Sequence, residues 1–443
     1  MCYKRVVFVL IGVCTECYAA TRDFEGIDQQ DEGLLIGEHI ADKLRESGNI
    51  DLYFGGELHL TSMLINQDQK SDKYENAVTS LQGDIELRYL KKCSGYGLGF
   101  EMKAKANSGI LKYGSPILRT SFLFFESDKI GTIKFGYTNT AGDSLSICGD
   151  KFLVGYTGAG SGNLRLFYNN SAGSIIDTCF TYDDSKAAKI AWLSPTVSGF
   201  SAGLSFTFDS RDAALFKTYR NKLVNLHEKS DFNGMLASYS KNVVSAGLAY
   251  EFGSPDDLNA KLSVATWFGK GEPAFLYNTN VKVHNVNAYN IGFIIGYKKF
   301  NASFGYTDNG KSMMSRSYAT HDIGGFDESV DYQLTDTSVG LMAGADAGKL
   351  YSAGIAYSFG KMTVSAGYFK SVVKFSDKEK AKANIISLAA EYKFDRVLRM
   401  YVEYDRINTD SCDRARAYKK ACDLSSTGKN SANIFMVGSK INF

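Results

Sequence analysis

"NIFMVGSKINF", Asn433–Phe443, alternates with a period of two. Phe435, Val437, Ile441 and Phe443 form one set, in which Ser439 is the only polar member. The other set, Ile434, Met436, Gly438, Lys440 and Asn442, is mixed and carries the one charge. That spacing belongs to a β-strand with one oily face and one wetter face. Chain ends ordinarily fray into water, so a strand that finishes on an aromatic residue is expected to be held by a partner strand.

The same alternation recurs upstream in stretches of about ten residues bounded by turn residues. In "GFSAGLSFTFD" (199–209) the apolar set is Phe200, Ala202, Leu204, Phe206 and Phe208. "YNIGFIIGY" (289–297) and "YSAGIAYSF" (351–359) repeat it, with aromatics at the ends of the apolar sets. Sixteen such segments are expected: 51–63, 81–91, 95–106, 117–126, 130–138, 186–194, 199–208, 241–252, 257–268, 287–297, 300–308, 349–358, 361–373, 383–394, 397–408 and 431–443. Short connections alternate with long ones, the latter at 64–80, 107–116, 139–185, 209–233, 269–286, 309–348, 374–382 and 409–430. An even strand number with short turns at one end and long loops at the other is the layout of an all-β, closed, antiparallel transmembrane barrel. Pro116, Pro195, Pro255 and Pro273 fall in connections or at their edges, as they must where a lost ladder bond finds no water. A barrel has no free edge only if its last strand pairs with its first. "NIFMVGSKINF" is therefore expected to seal against "DLYFGGELHLTSM" (51–63).

Composition agrees. Gly (43), Tyr (27) and Phe (29) are abundant while Pro (4) is scarce. The formal net charge of +2, with no basic run interleaved with aromatics, gives no electrostatic case for nucleic acid. Residues 1–20, "MCYKRVVFVLIGVCTECYAA", read as a secretory signal: Lys4 and Arg5, a short apolar run, and a small-x-small end at Cys17-Tyr18-Ala19. Residues 21–49 stand outside the barrel pattern and are expected to be a periplasmic extension. There Leu34, Ile36, Ile40 and Leu44 could line a short amphipathic helix. Residues 50–443 make the barrel. Export makes disulfides plausible. Cys148 with Cys179 and Cys412 with Cys422 are the natural intraloop pairs, leaving Cys93 over; each closed loop would contribute about 3 kcal/mol. Free thiols are the alternative.

"KIAWLSPTVSGFSAGLSF" (189–206), "GTIKFGYT" (131–138) followed by a long loop, and the closing strand with terminal Phe443 resemble the trimeric general porins of Gram-negative bacteria. The resemblance covers roughly residues 50–443, by architecture more than identity. It implies an outer-membrane location, a homotrimer, and recognition of the terminal aromatic strand by the outer-membrane insertion machinery. It also implies that the third long loop, 139–185, folds into the lumen and narrows a pore.

That loop carries Asp143, Asp150, Asp177, Asp183 and Asp184. Arg88, Lys103, Lys105 and Lys134 fall at polar strand positions, and Arg119 is ambiguous in phase. An acidic loop facing a basic wall would set a transverse field in which polar solutes orient and cross. Elsewhere Glu57, Asp84, Glu86, Glu101, Glu251, Glu391, Glu403 and Asp405 mix with Lys261, Lys393, Arg399 and Lys440, so the lumen has no plain sign. His39, His59, His227, His284 and His321 are scattered, with no nucleophile setting and no metal-ligand spacing. The chain is thus expected to be no enzyme and to use no metal or cofactor. The expected function is passive diffusion of small hydrophilic solutes and ions. The alternative is a surface adhesin or antigen whose barrel displays loops, suggested by the long polar connection 309–348.

Overall fold

The computed structural model describes residues 50–68, 76–108, 117–156, 179, 187–210, 238–254, 257–273, 283–312, 346–374, 380–410 and 429–443. The expected signal, the 21–49 extension, Asp177, Asp183, Asp184, Cys412 and Cys422 lie outside them.

Sixteen strands form one closed antiparallel barrel in chain order. They are β1 Ile50–Gln67, β2 Ala77–Cys93, β3 Tyr96–Ser108, β4 Ile117–Ser127, β5 Gly131–Tyr137, β6 Ala188–Leu193, β7 Phe200–Asp209 and β8 Ser238–Gly253. The second half comprises β9 Leu258–Pro273, β10 Val286–Tyr297, β11 Phe300–Asp308, β12 Lys349–Phe359, β13 Met362–Lys374, β14 Lys380–Lys393, β15 Leu398–Asp410 and β16 Lys429–Asn442. Each expected segment is present. The largest differences are at the long-loop ends, where β1, β2 and β9 run four or five residues further than the alternation alone suggested. Pro273 is the final residue of β9, opposite Ser238. At a strand's last rung its missing N–H costs no interior ladder bond.

Alternation settles which face is which. Phe435, Val437 and Ile441 of β16 are exposed while Ile434 and Met436 between them are buried. The exposed row faces lipid, and the intervening row faces the lumen. The seam pairs Glu57 with Asn442 through Gln67 with Ala432. One further rung follows: Gly56 N donates to the Phe443 carbonyl at 2.8 Å, and Phe443 N to the Gly56 carbonyl at 3.0 Å. Gly56 has no room for a side chain, because a Cβ there would lie 2.7 Å from the tip of the Phe443 ring. The terminal aromatic is thus packed as well as hydrogen-bonded, and every rung of the cylinder closes without an open edge.

The lumen is not uniformly wet. Met63, Ile65, Phe369, Ile385, Ile407 and Ile434 point inward from the long-loop halves of β1 and β13–β16 and are buried together. "NIISLAA" (384–390) announces this, since both Ile385 and Ile386 are apolar and the alternation lapses. A strand covered on both faces reads that way.

Candidate functional site

The third long connection leaves β5 and enters a single helical turn, α1 (Ala141–Leu145). Thr140 caps it: its Oγ1 accepts from Asp143 N at 3.0 Å, and Asp143 Oδ2 accepts from Thr140 N at 3.2 Å. Such a reciprocal box satisfies two donors the helix would otherwise orphan. Thr140 Oγ1 also accepts from the buried indole N–H of Trp267 on β9, at 3.0 Å. Asp143, expected among the acidic residues of the constriction, closes the capping box of this turn.

From there the backbone runs round the inner wall, and successive strands hold it. Ala141 N donates to Ser205 Oγ of β7 at 3.0 Å, and Gly142 N to Ser245 Oγ of β8 at 2.9 Å. Ile147 N reaches Asn290 Oδ1 of β10 at 3.3 Å, and Gly149 N reaches Ser352 Oγ of β12 at 2.9 Å. Val154 N donates to Ser365 Oγ of β13 at 3.1 Å, and Tyr156 N to Glu403 Oε2 of β15. The Tyr156 hydroxyl then accepts from Gln82 Nε2 of β2. A strap without regular structure has no ladder of its own, so its buried N–H groups need partners on the wall. Small inward side chains supply them.

Space for the strap comes from glycines on the same wall. A Cβ at Gly292, Gly305 or Gly354 would overlap the backbone of Ile147, Cys148 or Gly149. Leu145 fills the gap above Gly203 and Gly247. Cys148 is buried and disulfide-bonded to Cys179, with Cα atoms 5.9 Å apart, so the far arm of the loop is tied to the pinned one. Asn290 Nδ2 approaches Cys148 Sγ at 3.8 Å. Cys93 is also disulfide-bonded, its partner lying outside the described residues, which corrects the expectation that it is left over.

The strap covers the wall from β7 to β15, and the basic positions lie on β2–β5. Arg88, Lys103 and Lys134 come together there, interleaved with carboxylates. Arg88 Nη2 donates to Glu126 Oε1 at 2.7 Å, and Lys103 Nζ lies 2.9 Å from Glu86 and 3.6 Å from Glu101. Phe122 and Phe124 of β4 point inward beneath them, Lys134 sitting 5.0 Å over the first ring and Arg88 4.9 Å over the second. A cation held over an aromatic face is attracted by the ring quadrupole and fixed in place. Sequence reading missed these two rings because "SFLFFES" (121–127) is apolar on both strand faces. Arg119 stands at a register shift between Lys103 and Ala104 and is exposed. Lys105 pairs with Asp84 along the backbone, its side chain lying outside the described ones. Asp150 accepts from Leu153 N through its main-chain oxygen at 3.0 Å.

Elsewhere in the lumen the mixed charges pair across rungs. Glu251 faces Lys261 at 3.4 Å, and Glu391 bridges Lys440 at 3.1 Å and Arg399 at 3.6 Å. Glu57 contacts His59 at 2.8 Å. Glu403 and Asp405 are buried side by side, with the Ser387 hydroxyl within hydrogen-bond reach of both. Among the described residues no group of three or more His, Cys, Asp or Glu is placed to hold a metal.

Comparison with known proteins gives three findings. Residues 66–411 match a family described as "Gram-negative porin". An uncharacterised protein of Rickettsia bellii is 24% identical over 366 residues, covering 73% of this chain and 76% of its own. One from Rickettsia prowazekii is 23% identical over 286 residues, covering 58% of this chain and 57% of its own. Of that second relative the chain thus spans little more than half the length. The fold is similar to that of Salmonella typhi OmpF, solved in complex with daunomycin: TM-score 0.57, 13% identity, 90% of this chain and 99% of that one. It is also similar to an anion-selective porin from Comamonas acidovorans: TM-score 0.53, 14% identity, 89% and 100% covered.

Proposed function

The chain belongs to the Gram-negative porin family and to the bacterial outer membrane, and from that premise we propose that it passes small hydrophilic solutes and ions by diffusion. One observation carries the reading: charged side chains on the β2–β5 wall stay open to water inside the barrel. Lys103 keeps 43% of its side-chain surface exposed, Glu86 27% and Arg88 25%. Ions in a dry, packed interior would be buried at a large solvation cost. Here they keep water, while the main-chain fastenings of the strap run along β7–β15.

Paired charges of opposite sign along the wall of a water-filled passage orient water. A polar solute exchanges its water hydrogen bonds for those of the wall, whereas an apolar one must displace them without replacement. No bond is made or broken. Trimeric assembly and handling by the insertion machinery belong to the same proposal. Display of loops, the alternative, rests on 309–348, of which 313–345 lie outside the described residues.

Purified protein in a planar bilayer tests the proposal. Stepwise conductance is the expected result, and folded protein that gives no steps would end it.

A further inference from the structure

The register of β2 against β3 sets opposite charges beside each other on successive rungs of the lumen. Asp84 stands opposite Lys105, Glu86 opposite Lys103, and Arg88 opposite Glu101. Rungs on one face of a strand are about 7 Å apart, so three of them extend about 14 Å down the passage. β2 supplies the acid on the first two rungs and the base on the third. Neither strand is therefore a stripe of one sign, and cross-strand pairs of opposite charge favour this register. On β4, Glu126 adds a carboxylate 2.7 Å from Arg88.

These charges are compensated and yet reach water. Lys103 Nζ lies between Glu86 and Glu101, at 2.9 and 3.6 Å. Its side chain keeps 43% of its surface and that of Glu86 27%, whereas Lys440 and Glu391 on the opposite wall keep 16% and 9%. Ion pairs as exposed as the first are held weakly, so a passing solute displaces one partner at little cost. A simple ion that does so takes one member of the pair and strands the other. A solute with both charges replaces both partners at once and strands neither.

We infer that this wall favours zwitterions whose two charges are adjacent, with α-amino acids as the simplest class. Ammonium and carboxylate joined through one carbon lie about 2.5 Å apart, a spacing that suits the 2.9 Å contact of Lys103 with Glu86. The carboxylate of the solute takes Lys103 while its ammonium takes Glu86. The next rung, where the strand order of the signs is reversed, receives the same solute turned round. This inference rests on the diffusion reading above and adds a preference among the solutes that pass.

Swelling of vesicles containing the full protein compares alanine with lactamide, its uncharged isomer, so that size and composition are equal. Wild type is expected to admit alanine faster by about threefold, the scale of one exposed ion contact. Glu86→Gln combined with Lys103→Gln removes the pair without changing net charge and should bring the two rates together. The exchanged pair Glu86→Lys with Lys103→Glu should restore the difference. Lys270→Gln with Glu272→Gln removes a 2.6 Å pair that follows the exposed Phe268 on the outward face of β9, and should leave the ratio as in wild type. Equal rates for both solutes in wild type would overturn this inference alone, whether or not the variants fold. Entry of neither solute would overturn the diffusion reading and this inference with it. A folded Gln variant that keeps the wild-type ratio would show that Glu86 and Lys103 do not set it.

Discussion

Gly354 shows how little slack the lumen has. A side-chain carbon there would meet the carbonyl oxygen of Gly149, and Gly149 cannot retreat, being held through its N–H to Ser352 and next to the disulfide at Cys148. Gly354→Ala is expected to cost about 1–3 kcal/mol, as overpacking does, and to alter single-channel conductance; urea unfolding and bilayer recording check the two. Ser352→Ala creates the opposite fault. It leaves a buried N–H without its acceptor, at about 1–3 kcal/mol, with space to spare. A different residue governs the turn between β14 and β15. Asp395 Oδ1 accepts from Val397 N and Leu398 N, both at 2.8 Å. These backbone donors, that of Leu398 foremost, hold its carboxyl below the usual aspartate range. A lowered value means that the stabilisation is fully present above the ordinary carboxylate range and is lost as pH falls through the folded-state value. Thermal unfolding of wild type and Asp395→Ala should therefore differ at neutral pH and converge in acid.

At the scale of elements, the strap behaves as a belt with many buckles. Cys148→Ser with Cys179→Ser should leave strand content by circular dichroism unchanged, because α1 and residues 146–156 keep their wall contacts. It should broaden the distribution of conductance levels, since the far arm loses its tie. An unchanged distribution would show that the disulfide does not shape the passage. The strands were legible in the sequence because each carries its own signal, a two-residue period repeated over its whole length. The route of the strap was not, because each fastening joins one residue to one other far away: 203 positions separate Gly149 from Ser352, and 247 separate Tyr156 from Glu403. Ser205, Ser245, Ser352 and Ser365 read along the chain only as polar members of alternating strands. Nothing local distinguishes a serine that binds a loop from one that binds water. Phe122 and Phe124 were hidden for the reverse reason, since an apolar run has no phase to betray which ring faces in.

At the scale of the whole molecule, the balance of fixed charge along the passage is the quantity to measure. Glu86 and Glu101 share Lys103, so Glu86→Gln with Glu101→Gln leaves one cation uncompensated at the wall. Reversal potentials in a salt gradient should shift toward anions relative to wild type. No shift would place the current-carrying path away from β2–β5.

The rung that joins Gly56 to Phe443 has a temporal meaning. It links positions nearly four hundred residues apart, so the cylinder cannot be completed until its final strand has left the ribosome. Contacts this remote also make assembly slow. Until then two unsatisfied strand edges and an oily exterior travel through water together, prone to aggregate. Insertion into lipid, which covers that exterior, is expected to be the event that completes the cylinder.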